Sequence, residues 1–186
     1  MYRWIAALVV LTTASTGAWG AQWEVDTTRS HITFAATFEG AEFEGRFTVY
    51  TAHMDFNPID LDASRFEVRV EMNSADTGSG ELNDGMMLRE WFDSHRFPIA
   101  TFVTSGFKAQ ETNRYLAVGK LTIKGIAREV ALPFTWNQQG GTATIDGTVA
   151  LNRTEFHIGE GEWSSGNIVG LTVKVSTHLA LKRRQP

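Results

Sequence analysis

Residues with obvious chemistry are few in this chain, and they are scattered. The five histidines are His31, His53, His95, His157 and His178. None makes the i, i+4 pair or flanking pattern that holds zinc. His157, near Arg153, Glu155 and Glu160, comes nearest to an acid–base cluster, since imidazole exchanges protons near neutral pH. Its plainer reading is a loop hydrogen bond or a contact to a polar head group. Asp76, Ser79, Glu81, Asn83 and Asp84 supply oxygen ligands, but not at the spacing of a calcium loop. There is no G-x-S-x-G elbow. With no cysteine, the chain has no thiol nucleophile, no lipid-attachment thiol and no disulfide. Asn152-Arg153-Thr154 matches a glycosylation sequon, a pattern short enough to arise by chance. Arg153, beside Phe156, is the charged residue most expected to be partly buried, either bridging strands or meeting a polar head group. What the chain has in quantity is hydrocarbon. All twelve Phe lie beyond residue 30, on or beside predicted strands. They form either an ordinary core or the walls of a dry site.

Those side chains must be positioned by strands. In residues 119–134, GKLTIKGIAREVALPF, Leu121 and Ile123 alternate with polar residues, Gly125 interrupts, and Val130, Leu132 and Phe134 alternate again. Period-two alternation on both sides of a Gly turn predicts an antiparallel hairpin with one dry face. Similar patterns predict strands over Ser30–Phe38, Gly45–Phe56, Ser64–Asn73, Ile99–Phe107, Arg114–Lys124, Arg128–Asn137 and Thr142–Leu151. A long closing strand carries Val169 to Leu181, with His178 on its polar parity, and a short extra strand fits Trp23–Val25. Gly140-Gly141 reads as a tight turn. Met87, Leu88, Trp91 and Phe92 fall on one stripe and predict a short helix near residues 85–93. The fold class is therefore all-β, with about eight main strands that must close or form a sandwich to manage their edges. Small residues at core parity (Ala36, Thr101 or its neighbour Ala100, Ala117, Gly119, Ala143, Gly147) fit an interdigitated core or an empty one.

The first twenty residues are expected to act elsewhere. Arg3, the apolar run Trp4–Leu11 and Ala18-Trp19-Gly20 form a secretory signal peptide with cleavage before Ala21. Residues 21–186 then make one domain. Loss of Arg3 leaves this domain one unit more acidic than the whole chain's −4, which is no footprint for nucleic acid. Lys182-Arg183-Arg184 reads as a solvated tail.

Several segments, in order, resemble the YceI-like family. They are Trp23-Glu24-Val25-Asp26, Ser30 with Ile32 and Phe34, and Phe43–Phe47. The middle is similar through Ser74–Gly78, Leu88, Trp91-Phe92-Asp93 and Phe97–Phe102. Gly119–Phe134 and Leu151–Phe156 with Ile158-Gly159 continue it. Arg29, His157 and the stretch Gly161–Asn167 depart from the family pattern and bear on head-group preference. The resemblance implies an extended, eight-stranded, lipocalin-like antiparallel barrel exported to the periplasm. It implies a tunnel holding an isoprenoid lipid, such as a quinone tail or polyprenyl chain, with no catalytic residues and no catalytic cofactor. Phe34, Phe38, Phe47, Trp91, Phe92, Phe102, Leu121, Phe134 and Phe156 would line or close the tunnel, with Arg153 at the ligand. The Gly-rich segments Thr77–Gly85 and Gly159–Gly166 are the mouth candidates. Expected partners are the lipid, a membrane touched transiently and a cytochrome b561-type membrane protein; a homodimer is left open. The alternatives are sequestration of other amphiphiles, such as fatty amides or lipophilic antibiotics, and a small enzyme of this shape using His157 or His31.

Overall fold

The alternating stretches do become long antiparallel strands. A computed structural model describes residues 22–184; the signal-peptide assignment at residues 1–20 lies outside them. The strands run β1 (Gln22–Val25), β2 (His31–Phe38), β3 (Ala41–Phe47), β4 (Tyr50–Asp55), β5 (Arg65–Glu71) and β6 (Ala75–Asp76). Helix α1 (Gly80–Met87) is followed by β7 (Ile99–Glu111), β8 (Arg114–Ile123), β9 (Ile126–Gln139), β10 (Thr142–Asn152) and β11 (Thr172–Arg183). Lys124 and Gly125 take φ of 51° and 75° between the paired residues Ile123 and Ile126, the two left-handed positions of a type I′ turn. That turn matches strand twist and fixes the register of β8 on β9.

Eight strands close a ring in the order β1, β4, β5, β7, β8, β9, β10, β11, with Trp23 opposite Arg183 at the closing seam. The expected number holds, but the membership differs. The stretch expected as one strand, Gly45–Phe56, is two: β3 pairs with β2, and β4 pairs with β1 and β5. The break at residues 48–49 is fixed by backbone bonds, Thr48 N–H to the Ser74 carbonyl and Glu71 N–H to the Val49 carbonyl. Four-residue β1 thus enters the ring, while β2, β3 and β6 hang from the other half of β11 as a second sheet segment. Gly45 permits this, since a Cβ there would collide with the Phe34 ring on β2.

The helix also sits earlier than expected. Ser79 accepts a bond from Leu82 N–H and starts α1, and Leu88, extended at ψ 164°, ends it. The apolar spacing of Leu88, Trp91 and Phe92 belongs instead to successive tight turns, bonded Trp91 N–H to Leu88 O and Phe92 N–H to Met86 O. Residues three or four apart share a side in such turns as they do in a helix, so the period misled.

One end of the ring is solid. Phe56, with no exposed surface, is packed among Phe66, Tyr115, Phe134 and Trp136, and Trp23 donates its indole N–H to the Phe56 carbonyl at 3.0 Å. Ala117 and Ala143 make room for these rings in the same cluster. At this end the β1–β2 corner is tied by Asp26, whose carboxylate accepts from the Thr28 hydroxyl (2.6 Å) and pairs with Lys182 (3.2 Å) and Arg29 (3.1 Å). Those bonds, Thr28 first and Lys182 second, hold its pKa down to about 2. A depressed carboxylate stabilises the fold above its ordinary value of 3.8 and loses that contribution as pH falls toward about 2. The urea midpoints of wild type and Asp26→Asn should therefore differ by a constant gap above about pH 4, shrinking as pH falls toward about 2. A gap independent of pH would contradict the assigned bonds.

Candidate functional site

Above the packed end the barrel is hollow. A cavity of about 510 Å³, within the range of small-ligand sites, is walled by the inward parity of nearly every strand. Phe34, Phe38, Phe47, Trp91, Phe92, Phe102, Leu121, Phe156 and Arg153 all line it. Phe47 links β2 to the turns that follow α1, its ring centroid 5.2 Å from Phe34 and 6.4 Å from Phe92. Leu82 and Leu88 line the cavity and are also exposed, which places a mouth beside α1. Of the two Gly-rich segments, 77–85 contributes Glu81, Leu82 and Gly85 to the wall, and 159–166 contributes Trp163.

Phe134 does not line the cavity. It stacks on Tyr115 (5.6 Å) and meets Phe56 (5.4 Å) in the solid end. Its parity is inward, but it lies too far along β9, within the packed floor. Small residues divide in the same way, since Ala36 and Ala100 face the cavity while Ala117 and Ala143 lie in the packed floor.

Arg153 reaches the wall, but not as a head-group ligand. Its side chain is almost fully buried, and Nε donates to the Gly170 carbonyl (2.9 Å). Nη1 donates to Ile158 (2.7 Å) and Gly159 (3.0 Å), and Nη2 to Val169 (2.8 Å) and Trp163. A guanidinium has five N–H groups, and all five are spent on backbone carbonyls. The charge lies 5.3 Å from the Trp91 ring centroid. Burial pushes its pKa below the usual arginine value, yet a guanidinium stays protonated. Arg153 therefore fastens residues 158–170 over the rim and offers nothing to a ligand. Gly159 must be glycine here, because it takes φ of 73° and a Cβ would overlap Nη1 of Arg153.

The other candidates are also accounted for. His157, left-handed at φ 55°, holds Glu160 at 3.1 Å outside the cavity, and His31 stacks on His178, also outside it. Asp76 accepts from Gly78 N–H (2.9 Å) and the Asn83 amide (3.3 Å), while Asn83 accepts from Thr77. Those oxygens are thus taken up by N–H and O–H donors of the same segment, just before the Ser79 cap of α1. Among the described residues no group of three His, Cys, Asp or Glu converges as a metal site. Trp163 was missed by sequence reasoning. It sits in a 3₁₀ turn (Gly161–Ser165), 5.6 Å from Trp91, in a segment with no periodicity to reveal which way it faces.

Residues 23–181 match the YceI-like domain. A UPF0312 protein of Vibrio vulnificus is 25% identical over 147 residues, covering 74% of this chain and 78% of its own. The crystal structure of BcnA from Burkholderia cenocepacia superposes with a TM-score of 0.82 at 34% identity, covering 84% of this chain and 99% of that one. A polyisoprenoid binding domain from Saccharophagus degradans superposes at 0.70 with 13% identity, covering 88% and 99%.

Proposed function

The chain belongs to the YceI-like family, and from that premise we propose that it binds a long isoprenoid lipid in the cavity, as a carrier or reservoir acting in the periplasm. One observation carries the reading: above its aromatic floor the barrel encloses an apolar-walled cavity that its own side chains do not fill. Protein interiors normally pack to crystal-like density, so a cavity of this size is an anomaly unless something occupies it. Along it, among the described residues, only Glu81, Glu90 and Arg153 are ionisable, and Arg153 is fully bonded. A polyprenyl chain makes no hydrogen bonds and needs none from such walls. The solid floor means that a chain lies with its tail toward Phe66 and Ile145 and its head toward the α1 mouth. The Saccharophagus polyisoprenoid binding domain, which shares this fold, is consistent with this class of ligand.

Energetics favour exchange over trapping. Each methylene moved from water gains ~0.8 kcal/mol, but a lipid leaving a bilayer was already dry. The net balance is therefore small, and a protein so balanced can both load and unload.

The test is native mass spectrometry of the purified protein with organic extraction of whatever it carries. An isoprenoid mass supports the proposal; a fatty amide or other amphiphile would move it to general sequestration. Phe102→Asp puts a carboxylate on the wall and should abolish lipid retention. Undiminished retention by a folded Phe102→Asp protein would show that the chain does not run there.

A further inference from the structure

The barrel wall is incomplete along one line. β9 and β10 are paired from Thr142–Gln139 to Gly147–Phe134, and there the ladder stops. Beyond it, residues 126–133 of β9 remain paired with β8, and residues 148–152 of β10 remain paired with β11. Nothing in the ladder joins the two facing edges, a slot of roughly 17 Å along the shorter β10 edge at ~3.3 Å per residue.

The end of the ladder is built in. Pro133 stands one step past the last pair and has no N–H to donate. Gly147 is held close, since a Cβ there would sit 3.0 Å from the Pro133 carbonyl and 3.3 Å from Leu132. At its far end the slot is clasped. Lys124, at the tip of the β8–β9 hairpin, donates to the His157 carbonyl (2.7 Å) and pairs with Glu160 (3.3 Å) on the loop after β10. Its side chain is only 8% exposed. Behind the slot, Val130 and Leu132 on one edge and Val149 and Leu151 on the other line the cavity. In front, Ala131, Pro133, Thr148 and Ala150 take the outward parity, small and uncharged, while Arg128 and Glu129 stand exposed nearer the hairpin tip.

We propose that this β9–β10 seam is a lateral portal through which an apolar chain passes sideways between bilayer and cavity, with the Lys124–Glu160 clasp as its catch. The inference rests on the lipid-binding reading. A chain threading lengthwise through the α1 mouth would have to cross water one methylene after another. A side slot lets the tail slip in along its length while staying dry. An unpaired edge would ordinarily be a liability; here the charge on it is confined to Arg128 and Glu129, toward the clasped end, and the β10 edge carries none.

The probe is a dansyl-labelled geranylgeranyl chain in phosphatidylcholine vesicles, with uptake read by energy transfer from Trp91 and Trp163. Pro133→Cys with Thr148→Cys, neither lining the cavity, extends the ladder covalently by one step. When oxidised, this pair should slow transfer about tenfold with unchanged equilibrium loading, and reductant should restore the rate. Lys124→Gly keeps the left-handed turn, removes the ammonium and should speed transfer about threefold or more. Equal rates for the oxidised and reduced pair overturn the portal and leave the mouth as the route. If the disulfide does not form, Lys124→Gly decides, and a wild-type rate for it overturns the proposal. If wild type takes up no probe at all, the lipid reading fails instead.

Discussion

Phe56→Ala is expected to lower the unfolding free energy by about 3–5 kcal/mol, the cost of emptying a large, fully buried aromatic site. The ring has no exposed surface and touches five others, with centroids at 4.8 Å (Trp136), 5.1 Å (Tyr115), 5.4 Å (Phe107 and Phe134) and 5.6 Å (Phe66). These rings come from four strands, β5, β7, β8 and β9, and cannot collapse into the gap without moving the ladder that carries them. The matched variant is Phe92→Ala, on the cavity wall, where the removed ring already borders empty space. It should cost well under half as much and weaken lipid binding instead. Urea denaturation of both variants checks the pair, and equal losses would mean that the floor and the hollow are not the separate regions described.

Arg153→Met should be nearly as damaging, by about 3–5 kcal/mol, for a different reason. Methionine fills much of the space but leaves five carbonyls, on Ile158, Gly159, Trp163, Val169 and Gly170, without a donor in a dry place. Trp163 should swing away from Trp91, so the variant should show red-shifted tryptophan emission and poor lipid retention even where it remains folded. Arg153→Lys should not rescue it, because an ammonium has three donors in no fixed plane. Full retention and stability in the lysine variant would return Arg153 to the simpler role of a positive charge.

Most of the strand scaffold was legible in the residues. Leu121 and Ile123, Gly125, then Val130 and Leu132 announce β8, its turn and β9, because a half-buried strand must alternate and a type I′ turn favours glycine. Trp23–Val25 was only marginally readable, since four residues barely hold a period, yet it closes the ring. Gly45–Phe56 read as continuous because alternation persists across Thr48–Val49, while the interruption comes from bonds to Ser74 and Glu71, distant in sequence. Phe134 was misplaced for a related reason: parity says which face a side chain takes, not how far along the barrel axis it lies.

The Pro133–Gly147 seam illustrates the same limit. Each residue alone reads as a mild fault in a strand, and only their juxtaposition ends a ladder.

By itself the sequence determined an antiparallel all-β chain with an oily interior, because alternation and residue type are local properties. Whether that interior is filled or empty was decided only in three dimensions. The Phe residues are spread along the strands, and the stagger of those strands gathers some into a floor around Phe56 while setting Phe34, Phe47 and Phe102 on the walls of a void. No local pattern encodes that stagger.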